Sequence, residues 1–192
     1  MNLSFEVMSH ARTVTALWEH GFRLFKDTPE KFPVPFIAGD SLDPTFLEPV
    51  PPFTVPPSTA PPALSSVKRL SELHGHVSAI QLSAVFHLFN EEKQLHLARA
   101  LAGLLSPIPG SMILGWHAGQ ETKGFKEGPK RADGSSIEIF CHSPQTWKEL
   151  WDGVVFPKGT VRVEAELTEL EGGPPRPEGV VILKLVWSVT RL

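Results

Sequence analysis

Histidine side chains give this sequence its clearest scope for chemistry at neutral pH, because an unperturbed imidazole titrates near pH 6.5. His87 follows an apolar run typical of a strand, and His117 lies near the end of a second such run. Ligands bind at strand ends in open α/β sheets. We therefore predict that His87 contacts a substrate or acts as a general base. The alternative, a buried histidine bonded to backbone, stays open for His87 and equally for His117.

Two other histidine patterns carry less information. His74-Gly75-His76 has the spacing of a metal chelate, but no cysteine or carboxylate cluster accompanies it, so we interpret it as an exposed loop and predict no metal site. Cys141 stands beside His142, but adjacent side chains usually point apart, which favours an ordinary loop before a helix cap. The sequence shows no Ser-His-Asp spacing, phosphate-binding loop or zinc pattern.

A strand, a helix and a strand are predicted around these histidines. The run from Val77 to Phe89 is apolar and β-branched, as in a strand buried on both faces. Asn90 can cap a helix that Ser106 and Pro107 end, and SMILGWHAG follows as a second buried strand. This order implies a parallel pair of strands with a right-handed connection.

The flanking segments extend the same pattern. Residues 3–7 alternate weakly as a strand, a helix ends before Pro29, and FPVPFIAGD predicts a brief strand ending at Gly39-Asp40. Ser143 caps a last helix that starts at Pro144, and two alternating strands around the turn EGGPPRPE predict an antiparallel hairpin. We predict an α/β fold with a mostly parallel sheet, a C-terminal antiparallel hairpin and helices on both faces.

Two long segments are predicted to lack regular structure. Eleven of the nineteen prolines fall between Pro29 and Pro62, but large apolar residues alternate with them. We therefore interpret residues 43–67 as a proline-rich loop that wraps over the core rather than as a free linker. Residues 119–136 are polar and glycine-rich, which predicts a surface loop of the kind that lies over a site. The whole chain, 1–192, is predicted to be a single domain.

Composition excludes several classes of function. A net charge of -3 and a pI near 6.2 give no electrostatic footprint for nucleic acid. One cysteine cannot form an internal disulfide, and the N-terminus lacks the features of a signal peptide. No apolar stretch approaches the roughly 20 residues that span a bilayer. We expect a cytoplasmic protein without membrane or nucleic-acid partners.

Four separated blocks resemble fungal class I S-adenosylmethionine-dependent methyltransferases, a group often linked to secondary metabolism. The blocks are GFRLFKDTPEKFPVPFIAGDSLDP, HVSAIQLSAVFHLFNEEKQLHLARALAGLLSPIPGSMILGWHAG, FCHSPQTWKELW and LVWSVTRL. The resemblance covers the chain from about Trp18 to Leu192. It implies a Rossmann-like sheet whose last two strands form the hairpin, S-adenosylmethionine as the cofactor, and methyl transfer to a small molecule.

The resemblance also implies positions for the cofactor. The segment after the family's third strand lies by the adenine, and it corresponds here to Asp40, Ser41 and Leu42. Residues leaving the fourth strand line the methionine end, and these correspond to Ser83, Ala84 and His87. A turn role for Asp40, in Gly39-Asp40-Ser41, is the open alternative.

The family's first strand and its GxGxG loop have no counterpart in this sequence, since the only glycine before Gly39 is Gly21. That loop lets backbone amides approach the cofactor. We expect the gap in the sheet to be filled in one of three ways: by residues 3–7, by a second chain, or by a longer natural protein. In each case the 192-residue chain is expected to bind S-adenosylmethionine poorly. A non-catalytic subunit and a cofactor-independent rearrangement catalyst stay open as alternative functions.

Overall fold

A computed structural model describes residues 2–5, 11–31, 35–130, 133–171 and 181–192. Within these ranges, seven strands form two sheets, of five and two strands. In chain order the strands are β1 (Asn2–Phe5), β2 (Ala79–Ser83), β3 (Met112–Ala118), β4 (Gly124–Lys130), β5 (Ser136–Cys141), β6 (Val161–Glu169) and β7 (Leu183–Arg191). The helices are α1 (Ala11–Phe25), α2 (Glu91–Leu104) and α3 (Pro144–Trp151), with short 3₁₀ turns at Leu64–Ser66, Leu70–Leu73 and Phe86–Leu88.

The larger sheet has the order β1-β2-β3-β7-β6. β1, β2 and β3 are parallel, whereas β7 is antiparallel to both β3 and β6. Four of the five strands therefore run in one direction, and the chain ends in an antiparallel hairpin. This arrangement confirms the predicted α/β fold class.

β1 is the strand that lies beside β2 at the edge of the sheet. Leu3 is paired with Ile80 in a parallel register, so the N-terminal segment occupies the position that the resemblance leaves empty. This is the first of the three expected outcomes. The rest of the predicted strand, residues 6 and 7, lies outside the described residues.

The caps of α2 and α3 form as the sequence predicts. The Asn90 side chain accepts a hydrogen bond from the Lys93 amide at 3.0 Å, and Ser143 Oγ accepts one from the Thr146 amide at 3.2 Å. Pro144 begins α3, where its missing N–H is not needed. These local signals fix where both helices begin, and hence how they leave the strands that precede them.

One face of the sheet is buried and the other is not. Ile80, Leu82 and Ile113 share the main hydrophobic core with residues of α2 and α3. On the opposite side of β2, Gln81 and Ser83 are exposed. The prediction of a strand buried on both faces is therefore wrong for β2, because alternate side chains point to opposite faces. α2 and α3 share this core and therefore pack on the same side of the sheet.

The proline-rich segment packs against this core, as predicted. Leu47 is fully buried, the Glu48 carbonyl is 2.9 Å from His74 Nε2, and Arg191 Nη2 donates to the Phe53 carbonyl at 2.9 Å. Contacts with residues distant in sequence replace the hydrogen bonds that prolines cannot supply. The segment is an ordered part of the fold and not a linker.

Gly103 provides a test of that packing. A Cβ atom at this position would lie 2.7 Å from Val50 Cγ2 and 3.1 Å from the Val50 carbonyl oxygen. Gly103→Ala is therefore expected to lower the free energy of unfolding by about 1 to 3 kcal/mol, because the added methyl group overpacks the contact with Val50 and displaces the proline-rich segment. Gly21→Ala in α1 is the matched control: a Cβ there has open space, so we expect a gain of about 0.5 to 1 kcal/mol. Chemical denaturation measures the free energy of unfolding of both variants. Equal effects at the two sites would contradict the packing of the proline-rich segment against Gly103.

Two predictions of local structure are wrong. Residues 35–40 form no strand, and Pro35 has no N–H to donate to one; residues 32–34 lie outside the described residues. Residues 124–130 of the predicted 119–136 loop form β4, which pairs with β5 through contacts such as Phe125 with Phe140. Alternating side chains in this polar segment favour a hairpin over a loop. The predicted turn at 171–178 lies almost entirely outside the described residues.

Candidate functional site

The carboxyl ends of β2 and β3 meet at one edge of the sheet. Ala84, directly after β2, has φ of 58°, a left-handed conformation that is costly for a residue with a Cβ. Its amide donates to the Trp116 carbonyl of β3 at 2.7 Å. The chain therefore turns sharply as it leaves β2, and Ser83 remains exposed at this turn.

His87 lies in the 3₁₀ turn that follows. It is half-buried, and its Nδ1 atom is 3.4 Å from the backbone amide nitrogen of Ala118, at the end of β3. Because Nδ1 accepts that hydrogen bond, a neutral His87 carries its proton on Nε2. Burial, with a smaller contribution from the positive charge of Lys126, lowers the pKa of His87. The ring is thus a neutral Nε2–H donor, which favours a contact role over a general base.

His117 is fully buried behind this edge. The indole N–H of Trp187 donates to its Nδ1 atom at 3.0 Å, which again places the proton on Nε2. Burial strongly lowers the pKa of His117, and His87 and His142 lower it further. Within the part of the chain that the structure describes, Nε2 has no hydrogen-bond partner. The ring packs edge-on to Trp147, with centroids 4.6 Å apart.

The β4-β5 hairpin flanks the same edge. Gln94 of α2 is fully buried, and its side-chain amide donates to the carbonyls of Phe89 at 2.9 Å and Phe140 at 3.0 Å. Lys126 Nζ, from β4, donates to the Gly119 carbonyl at 3.1 Å. These contacts join α2, the end of β3 and the hairpin into one wall beside His87.

Cys141 and His142 belong to the wall and not to a reactive pair. Burial raises the pKa of the Cys141 thiol, so it stays protonated and a poor nucleophile. His142 Nδ1 is 3.0 Å from Thr146 Oγ1 in α3. Burial and the nearby Lys123 lower the pKa of His142 to about 4, although Glu91 opposes that shift. Both side chains are uncharged at neutral pH.

At the position predicted for the adenine, Asp40 holds a turn. Its carboxylate accepts from the Leu42 amide at 2.9 Å, and its carbonyl accepts from the Asp43 amide at 3.0 Å. Ser41 is buried, and its hydroxyl has no partner among the described residues. Leu42 packs against the core. The structure thus brings Ser83, Ala84 and His87 together, while the recorded hydrogen bonds of the Asp40 turn stay local.

The expectation of an exposed loop at His74-Gly75-His76 is wrong, because both histidines are half-buried. His74 bonds to the backbone of the proline-rich segment, and no group of three or more His, Cys, Asp or Glu in the described residues has the arrangement of a metal site. Among the helices of the described ranges, none is both long and apolar enough to cross a membrane.

Three residues of the edge were not singled out from the sequence. Trp187 orients His117, Gln94 holds the hairpin, and Lys126 bonds to the end of β3. The sequence signal for Lys126 is its position in residues 119–136, which we interpreted as a loop of the kind that lies over a site. Nothing local marks Gln94 or Trp187, because their partners are 46 and 70 residues away.

Comparisons with known proteins agree with the resemblance. The chain is 33% identical over 102 residues to the O-methyltransferase phiE of a fungal species, covering 53% of this chain and 32% of that protein. It is 30% identical over 122 residues to the Asnovolin E/Chermesin D methyltransferase nvfJ of Aspergillus novofumigatus, covering 64% and 42% respectively. The chain thus spans about a third to two fifths of the length of these relatives. No family model matches it.

Likenesses among solved structures are weaker. A Burkholderia thailandensis 1,6-didemethyltoxoflavin-N1-methyltransferase with bound S-adenosylhomocysteine has a TM-score of 0.42 at 10% identity, covering 64% of this chain and 48% of that one. A DhpI complex with S-adenosylhomocysteine has a TM-score of 0.35 at 12% identity, covering 64% and 51%. Because both scores are low, the fold assignment rests on the strand order itself.

The strand order defines a Rossmann-like α/β protein whose chain ends in an antiparallel hairpin. Over part of its length the sequence is also similar to fungal methyltransferases, which is consistent with the class I methyltransferases that its four sequence blocks resemble.

Proposed function

We propose that this chain takes part in methyl transfer from S-adenosylmethionine to a small-molecule acceptor, with His87 contacting the acceptor. The observation that carries the proposal is the neutral His87 donor, fixed by the Ala118 amide at the carboxyl edge of the sheet. Ligands bind at this edge in open α/β sheets, and the similar fungal proteins are methyltransferases.

The bound cofactor would supply an electrophilic methyl group on a sulfonium. The protein's contribution to such a transfer is to hold the acceptor atom in line with that methyl group and to exclude water. His87 Nε2–H can orient an acceptor oxygen. The geometry supports orientation of the acceptor more than removal of a proton from it.

The cofactor positions form the second part of the proposal. Ser83 and Ala84 are assigned to the methionine end because they leave β2 at the edge that holds His87. Asp40, Ser41 and Leu42 are assigned to the adenine end. The buried Ser41 hydroxyl, without a partner in the described residues, supports that assignment because such a group is stabilised by a ligand acceptor or donor.

Calorimetric titration with S-adenosylmethionine tests the proposal. Because the sequence has no glycine loop to cradle the methionine end, we expect saturable binding that is weaker than micromolar. Absence of binding at millimolar cofactor would favour a non-catalytic subunit. Turnover of a substrate without cofactor would favour a rearrangement catalyst. A monomer with micromolar affinity would show that the strand assignment or the site is wrong.

Asp40 can be tested separately, because one variant removes its side-chain acceptor and a second variant keeps that acceptor for the turn. Asp40→Ala is expected to weaken cofactor binding by about 1 to 2 kcal/mol, the range for losing one hydrogen bond. Asp40→Asn keeps an acceptor oxygen for the Leu42 amide and thus controls for the turn. Calorimetric affinities of the two variants decide, and an unchanged affinity in Asp40→Ala would remove Asp40 from the site.

A further inference from the structure

Lys126 has donor capacity that the described residues do not use. Its ammonium group carries three N–H donors, and the Gly119 carbonyl takes one of them at 3.1 Å. The side chain is half-buried, and it makes no ion pair within the described residues. A partly desolvated cation without a counter-ion is costly, so an anion bound beside it would be stabilising.

The backbone of β3 brings Lys126 and His87 together. Lys126 bonds to the carbonyl of Gly119, and His87 bonds to the amide of Ala118, the preceding residue. Consecutive Cα atoms are about 3.8 Å apart, so both side chains are anchored within one step of the chain. His87 uses Nδ1 for this contact and keeps Nε2–H free to donate.

The charged groups around this point leave the site positive. His117 and His142 have lowered pKa values and are neutral, and the Cys141 thiol has a raised pKa and is also neutral. Lys123 is paired with Glu91, whose carboxylate is thereby engaged. Lys126 is therefore the charge that dominates the field at His87, in agreement with its effect on the pKa of that histidine.

We propose that Lys126 binds an anionic oxygen of the small-molecule acceptor, with His87 Nε2–H as the second donor to the same group. Lys126 would then be a specificity-determining residue that selects acceptors bearing a negative charge near the reacting atom. The assignment of the ligand as an acceptor rests on the proposed function, whereas the anion site itself does not. Charge-assisted hydrogen bonds are shorter and stronger than neutral ones, which gives the selection its energy.

Benzoate and benzamide are matched probes, because they have the same shape and only benzoate is charged at neutral pH. The reporter is the Nε2 resonance of His87 in the protein labelled with ¹⁵N-histidine, followed during titration with each probe. We expect benzoate to shift this resonance saturably and benzamide to do so only at much higher concentration. Lys126→Met is expected to weaken benzoate binding about 10- to 100-fold and leave benzamide unchanged.

Two further variants complete the test. Lys123→Met removes a lysine already paired with Glu91 and is expected to leave benzoate binding unchanged, while Lys126→Arg is expected to restore most of it. Equal binding of the two probes, or full benzoate affinity in Lys126→Met, would overturn the inference. Neither probe involves S-adenosylmethionine, so failure of the proposed function would appear in the cofactor titration and not here.

Discussion

His87→Ala is expected to lower the rate of methyl transfer about 100-fold, the effect of removing one positioned donor from a reacting oxygen. The affinity for S-adenosylmethionine is expected to stay within about twofold, because in the proposed function the His87 imidazole holds the acceptor, whereas the Asp40 turn and Ser83-Ala84 hold most of the cofactor. S-adenosylhomocysteine released in the presence of a mixture of small acids and phenols measures the rate, and calorimetry measures the affinity.

An exposed histidine provides the control for this change. His20, on the surface of α1, is outside the edge that holds His87, so His20→Ala is expected to leave both quantities unchanged. Loss of cofactor affinity in His87→Ala without loss of turnover would contradict the acceptor role.

Acid is expected to destabilise the protein by about 3 kcal/mol through His142 alone. Its pKa is about 4 in the folded chain, whereas an unfolded histidine titrates near 6.5. Above pH 6.5 both states are neutral and the group has no effect. As the pH falls from 6.5 to 4, the unfolded state binds the proton first, so the free energy of unfolding decreases; below pH 4 this loss is complete.

Urea denaturation at pH 7, 5 and 4 measures this loss. His142→Gln cannot titrate and is expected to flatten the pH dependence by about 3 kcal/mol over this interval. His87 and His117 also have lowered pKa values, so a smaller slope of the same sign remains. A variant as acid-sensitive as the original protein would show that His142 is not buried as a neutral group.

Local signals in the sequence predicted the elements that depend on neighbouring residues. Asn90 and Ser143 cap α2 and α3 as expected, and the alternating patterns of β6 and β7 form the predicted hairpin. The caps could be predicted because each capping residue and its hydrogen-bond partner lie within a few residues of each other.

The site could be predicted only in part, because its geometry depends on distant contacts. The position of His87 followed from strand order, but its tautomer depends on the Ala118 amide, 31 residues away. The polar composition of residues 124–130 favoured a loop, whereas pairing with β5 makes them a strand. Lys126 therefore enters the site through a tertiary pairing that overrides local composition.

The most direct measurement of the central claim is a map of where S-adenosylhomocysteine binds. Backbone amide resonances of the ¹⁵N-labelled chain, followed to millimolar ligand, are expected to shift saturably at Ser83, Ala84 and His87, and to be unchanged on the edge strand β6. Shifts confined to other parts of the sheet, or no saturable shift at the exits of β2 and β3, would contradict the assignment of this edge as the methyl-transfer site.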